Sequence, residues 1–178
     1  MILVEIQGFG RIAVTDDLPE AAYVEAGRLT ATRTASRTPA FPARVVVEVL
    51  RRFGGHAPRA LLGARFVPGM GTNTTFEVTY AADDRVASCP SMLWNQPYEA
   101  TLSSEFASAV LDGLVEGAGE LPAGLLRVDR AGTDEVAASD WVFGQAAEML
   151  RTILSATLRD ADIEAELRSL AARREPPA

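Results

Sequence analysis

The stretch AGTDEVAASDWVFGQAAEML, residues 131–150, decides how the chain folds. Ser139 is a natural helix cap, and Asp140 falls in the first turn, where its charge meets exposed N–H groups. Val142, Ala146, Met149, Ile153 and Ala156 then recur at spacings of three and four. That stripe predicts a long helix with one core-facing side. Ahead of it, Leu125–Val128 reads as a strand, Ala131–Gly132 as a turn and Glu135–Val136 as a short returning strand. The stretch is thus where a sheet hands over to a helix. The three carboxylates ahead of and at the helix start, Asp134, Glu135 and Asp140, need no chemistry to explain them. Asp140 fits the cap, Asp134 fits the turn, and nothing sets two of them in the opposed surroundings an acid/base pair requires.

Working outward, Ser103 caps a second helix whose stripe is Phe106, Ala107, Val110, Leu111 and Leu114, closed by Gly117 and Gly119. A third helix is expected over 160–174, with Glu164 and Arg168 as an i,i+4 pair, and REPPA as a frayed tail. At the other end, 2–6 and 11–15 read as strands of a hairpin turning through Gly8-Phe9-Gly10. Residues 18–26 have helical spacing, with Pro19 in a first turn and Gly27 as its end. Residues 30–42 read as an exposed basic loop or, if ordered, an extended edge. Ala43–Arg52 has four valines and high strand propensity, but its length also permits a helix. Alternation over Phe76, Val78 and Tyr80 predicts a strand, Asp83–Asp84 a turn, and 86–93 another strand. Two amphipathic helices can cover one face of such a sheet. The expectation is an α+β chain: a two-layer α/β sandwich with a mixed sheet and helices on one face. It is read as a single domain over 1–178, with 1–42 as an N-terminal extension and 160–178 as a C-terminal helix and tail.

Composition narrows the function. Hydrophobic residues make up 48% of the 178, enough for a core. No run approaches the ~18 apolar residues of a membrane span, and the N-terminus lacks the pattern of a secretory signal, so a cytoplasmic location is expected. The single cysteine, Cys89, excludes an intrachain disulfide. The single histidine, His56, has no ligand-spaced partner, so no metal and no cofactor are expected. All 17 basic residues are arginine, which removes any lysine-based mechanism. Net charge is −7, yet residues 28–65 hold eight arginines against one acid, Glu48. Those arginines either pair with the acidic remainder of the fold or form a surface for RNA or an acidic protein partner. The candidate binding residues are Arg51, Arg52, His56, Arg59 and Arg65, with the turn residues Gly69, Gly71, Thr72, Asn73 and Thr74. A glycine–threonine turn can cradle a phosphate through its N–H groups, although no P-loop motif is present. Trp94 and Tyr98 could stack on bases, but the local sequence interleaves no positive charge with them.

The segments FASAVLDGLVEG and LPAGLLRVDRAGTDEVAASDWVFGQAAEML, with Pro122, Gly124, Gly132, Val136, Ser139 and Phe143 at the matching positions, resemble the fourth domain of translation elongation factor G, mainly over 106–157. The resemblance implies a ribosomal protein S5 domain 2-like fold. It covers fold positions rather than catalytic ones, and the chain has no GTP-binding domain. Three functional readings follow. The first is a noncatalytic binding or assembly module contacting RNA or the ribosome through an arginine-rich face. The second is a small enzyme holding a phosphate- or acyl-bearing substrate at loop 68–75. The third is a homodimeric interaction protein.

Overall fold

The computed structural model describes residues 1–52, 54–82, 86–117 and 120–173. The expected turn at Asp83–Asp84, the helix end at Gly119 and the tail from residue 174 lie outside them. Nine strands and three α-helices are described: β1 Ile2–Ile6, β2 Gly10–Thr15, β3 Glu25–Thr34, β4 Ala43–Arg51, β5 Arg59–Pro68, β6 Asn73–Ala81, β7 Ala87–Cys89, β8 Tyr98–Ala100, α1 Ser104–Glu116, β9 Gly124–Gly132, α2 Asp140–Leu158 and α3 Ile163–Ala172. Seven strands form one sheet in the order β1-β2-β4-β5-β9-β6-β3, and β7 pairs with β8 separately. Within the large sheet only β6 and β9 run parallel, joined through α1. The expected two-layer arrangement is present, and residues 1–34 supply three strands of the same sheet.

Side-chain parity explains the layers. Val45, Val47 and Val49 of β4, Leu62 and Phe66 of β5, and Leu126 and Val128 of β9 pack with Val110 and Leu114 of α1 and with Phe143, Leu150 and Ile153 of α2. Gly113 lets the two helices touch, since a Cβ there would stand 2.4 Å from the Gly144 carbonyl oxygen. Val46 and Leu61 face the other way and are buried under Ala21, Cys89, Tyr98 and Ala100. Strand β4 is therefore covered on both faces, and its valines run without alternation. The two expected helix caps form: Ser103 Oγ accepts from Phe106 N–H at 3.2 Å and Ser139 Oγ from Val142 N–H at 3.3 Å. The Glu164–Arg168 pair closes at 2.7 Å, and Arg168 also donates to the Glu5 carbonyl, tying α3 to β1.

Several expectations are corrected. Residues 18–26 make no α-helix, only a 3-10 turn at Pro19–Ala21, and the chain then extends as edge strand β3 through Thr34. Gly27 ends no helix there. It clears the Tyr80 side chain, whose hydroxyl oxygen a Cβ would meet at 2.2 Å. Strand β9 runs through Ala131–Gly132, while residues 135–137 turn rather than extend, because the Asp134 side chain accepts from the N–H groups of Val136 and Ala137. The strand expected over 86–93 shrinks to Ala87–Cys89. Pro90 follows it, and the next residues wrap around a buried carboxylate described below.

Candidate functional site

Apart from Arg65, which stands within β5, the candidate residues fall into two groups at opposite ends of that strand, whose ten residues span roughly 30 Å. Gly69, Gly71, Thr72, Asn73 and Thr74 lie at its C-terminal end, and all but Thr74 line, with Val67, Thr75 and Leu125, a shallow depression of about 670 Å³ that no ionisable residue joins. Thr74 is buried there, and its hydroxyl donates to the carbonyls of Leu121 and Pro122. His56 does not converge on this loop.

The eight arginines of 28–65 do not share a face. Arg28, Arg44 and Arg65 stand on the uncovered half of the sheet and pair with Glu77, Asp129 and Asp129 at 3.3, 3.0 and 3.6 Å. Arg127 and Arg130 of β9 join the same lattice through Glu25, Glu77, Asp129 and Asp17. This half of the sheet neutralises itself. Arg33 and Arg37 are exposed near the glycine–threonine loop.

Arg51, Arg52, His56 and Arg59 all lie where β4 ends and β5 begins, but Arg51 and Arg59 stand on opposite faces and only His56 and Arg59 share a cleft. A cleft of about 590 Å³ opens there, lined by His56, Arg59, Trp94, Gln96, Asp134 and Val136 among others. Its floor is Arg59, buried and fully engaged. Nε donates to Asp134 at 2.7 Å, Nη1 and Nη2 donate to the carbonyls of Gln96 and Pro97, and the guanidinium lies 4.2 Å from the centre of the Tyr98 ring. Burial works against the Asp134 charge, but the Arg59 hydrogen bond and those from Val136 and Ala137 N–H outweigh it and hold the carboxyl below its usual range.

Beneath the cleft wall lies Glu48, buried among donors. Its carboxylate accepts from Ser91 Oγ at 2.5 Å, Met92 N–H at 2.5 Å, Leu93 N–H at 3.2 Å and Tyr98 Oη at 3.0 Å. The segment carrying Trp94 is thereby fastened to the back of β4. Burial, with the Glu48 charge beside it, raises the Tyr98 phenol well above its ordinary value.

Arg51 projects to the helix side of β4. Its guanidinium carbon is 3.6 Å from the centre of the Phe9 ring and 5.0 Å from that of Trp141. Burial lowers its pKa. Arg52 is exposed, 3.8 Å from Glu5. Around this end three large apolar residues reach solvent: Trp94 is 43% exposed, Trp141 45% and Val136 94%. Trp141 and Val136 have no signal in a local reading, because one sits inside a helix pattern and the other in a turn. Glu48 did carry one, as the lone acid inside a run of β-branched residues.

Among the described residues, no cluster of three or more His, Cys, Asp or Glu side chains is arranged to hold a metal ion, and no helix is long and apolar enough to cross a membrane. Cys89 is buried, and its thiol is pushed up to about 11 by burial and by the charges of Glu48 and Glu20. It is held as the unreactive thiol at neutral pH. Iodoacetamide at pH 8 is expected to leave Cys89 unmodified in the native protein and to alkylate it in urea; native labelling at the rate of a free thiol, followed by mass spectrometry, would contradict this burial. No family model matches the chain, and neither a curated protein nor a solved structure matches it.

Proposed function

We propose that the chain is a noncatalytic, cytoplasmic binding module that holds a short single-stranded RNA segment at the β4–β5 end. The observation that carries this reading is a cleft lined by Trp94, nearly half exposed, together with His56 and Arg59, at the end of the sheet where Arg52 is also exposed. Exposed aromatic faces beside cations are the means by which bases are stacked without strict sequence preference. A binding role rather than a chemical one is supported by the cleft floor, where Arg59 and Asp134 are already committed to each other. The helix–strand–helix order behind the resemblance to the fourth domain of elongation factor G is present as α1–β9–α2, which favours a ribosome-side partner.

Glu135 and Asp140 also stand at this end and are exposed, so phosphate contacts are few. Binding of oligouridine, followed by tryptophan quenching, is expected to weaken with salt at a slope of about −1 in log K, the signature of one or two phosphates. Trp94→Ala is expected to weaken it about 5- to 150-fold, the scale of one lost stack. Absence of quenching at low salt would remove the RNA reading. A second reading, a homodimer formed through this surface, is favoured by Val136, which is almost fully exposed beside Trp94. Light scattering would then give twice the chain mass, and Val136→Asp would restore the monomer.

A further inference from the structure

Arg51 is the least satisfied charged group described. It is 2% exposed, its Nε and Nη1 have no hydrogen-bond partner, and no carboxylate pairs with it among the described residues. A guanidinium keeps its charge at neutral pH even where burial lowers its pKa, so a cation remains enclosed. The rings of Phe9 and Trp141 offset part of that cost through their faces. A stacked ring accepts nothing from N–H groups that lie in the guanidinium plane, so the donors stay unanswered. The cover is thin on one side: Trp141 itself is 45% exposed. Trp141 also belongs to the first turn of the 19-residue α2, so an anion arriving there meets the positive end of a long helix. Asp140, exposed in the same turn, opposes it.

We propose that Arg51 is the receptor for an oxyanion, a carboxylate or phosphate group on a bound partner, and that Trp141 is the roof that moves aside to admit it. Both groups match the in-plane fork of a guanidinium. The inference stands on the buried guanidinium, not on the stacking surface, and survives if RNA does not bind.

The test is a ¹⁵N NMR titration of the whole chain with sodium phosphate or sodium acetate, ionic strength held constant with chloride. The reporters are the Arg51 Nε–H and the Trp141 indole N–H, assigned with Arg51→Met and Trp141→Phe. Saturable shifts of both signals with either anion are expected, with the Trp141 response lost in Arg51→Met and affinity raised several-fold in Asp140→Asn. A response to phosphate would show that the site takes a phosphoryl group, and a response to acetate alone that it takes only a carboxylate. No saturable shift in the wild type with either anion, or a Trp141 response that persists in Arg51→Met, would overturn the proposal. The wild-type Arg51 signal needs no variant to be informative. Arg51→Met is also expected to melt no lower than the wild type in chloride buffer, since it removes an unanswered charge. A clear drop would mean that the two rings already satisfy the guanidinium, and would overturn the proposal as well.

Discussion

Replacing Glu48 by alanine is expected to destabilise the protein by about 3–5 kcal/mol, the scale on which a buried charged group is parted from its partners. Four donors converge on this carboxylate, two of them N–H groups of consecutive residues, Met92 and Leu93. Without the acceptor these donors are left in a covered site that alanine cannot refill. For a chain of this size the loss corresponds to a fall of roughly 10 °C in melting temperature. Because residues 91–98 are held by this group, the emission of Trp94 should also move to the red. Glu48→Gln can keep an acceptor oxygen on the Met92 and Leu93 N–H groups but sets an amide donor against the Ser91 and Tyr98 hydroxyls, which must turn to accept, so it should fall between the two. A Glu48→Ala variant that melts and fluoresces like the wild type would show that the segment is fastened by its apolar contacts instead.

The second large effect is expected at Asp134. It closes a 2.6 Å ion pair with Arg59, whose side chain is almost wholly covered. Asp134→Ala strands that cation and also frees the N–H groups of Val136 and Ala137, so a loss of about 3–5 kcal/mol is expected in urea unfolding. Asp134→Asn keeps an acceptor for the turn and should lose less. Exchanging both partners for leucine and methionine should recover much of the deficit, because the penalty comes from the orphaned charge rather than from the absence of the pair. The pH dependence follows from the same group. Its folded pKa lies below the unfolded value, so its contribution is complete above the unfolded pKa of about 3.9 and is lost as pH falls through the folded one. Acid unfolding of the wild type should therefore show a component below about pH 4 that Asp134→Ala lacks. Parallel acid curves for the two proteins would place the ionic contribution elsewhere.

These two carboxylates also mark how far local reading reaches. The helices α1, α2 and α3, the caps of the first two and the hairpin β1–β2 were legible because each rests on neighbours within four residues: Ser103 with Phe106, Ser139 with Val142, Glu164 with Arg168. The two-layer class followed from the apolar stripes. No element was assigned to Arg59–Pro68, although it became β5 near the middle of the sheet, because RALLGARF alternates with neither period. Ala43–Arg51 could not be assigned for a related reason: burial on both faces erases the alternation that identifies a strand. Strand β3 was concealed differently. Its threonines and arginines look like loop, and only pairing with β6 along one edge extends them.

The amino-acid order by itself determined the helices, the outer hairpin and the split of charge along the chain, since periodicity and capping act over one or two turns. Only the tertiary structure decided where that charge went. It set Arg28, Arg44 and Arg65 against Glu77 and Asp129 on the open sheet face, and buried Arg59 on Asp134. It also parted Arg51, Arg52, His56 and Arg59 from the glycine–threonine loop by the length of a strand, and drew Trp94 and Trp141 to one end from segments 47 residues apart (141 − 94). The physical reason is that ion pairs and clefts are made between side chains distant in sequence, whose meeting depends on strand order and register rather than on any local pattern.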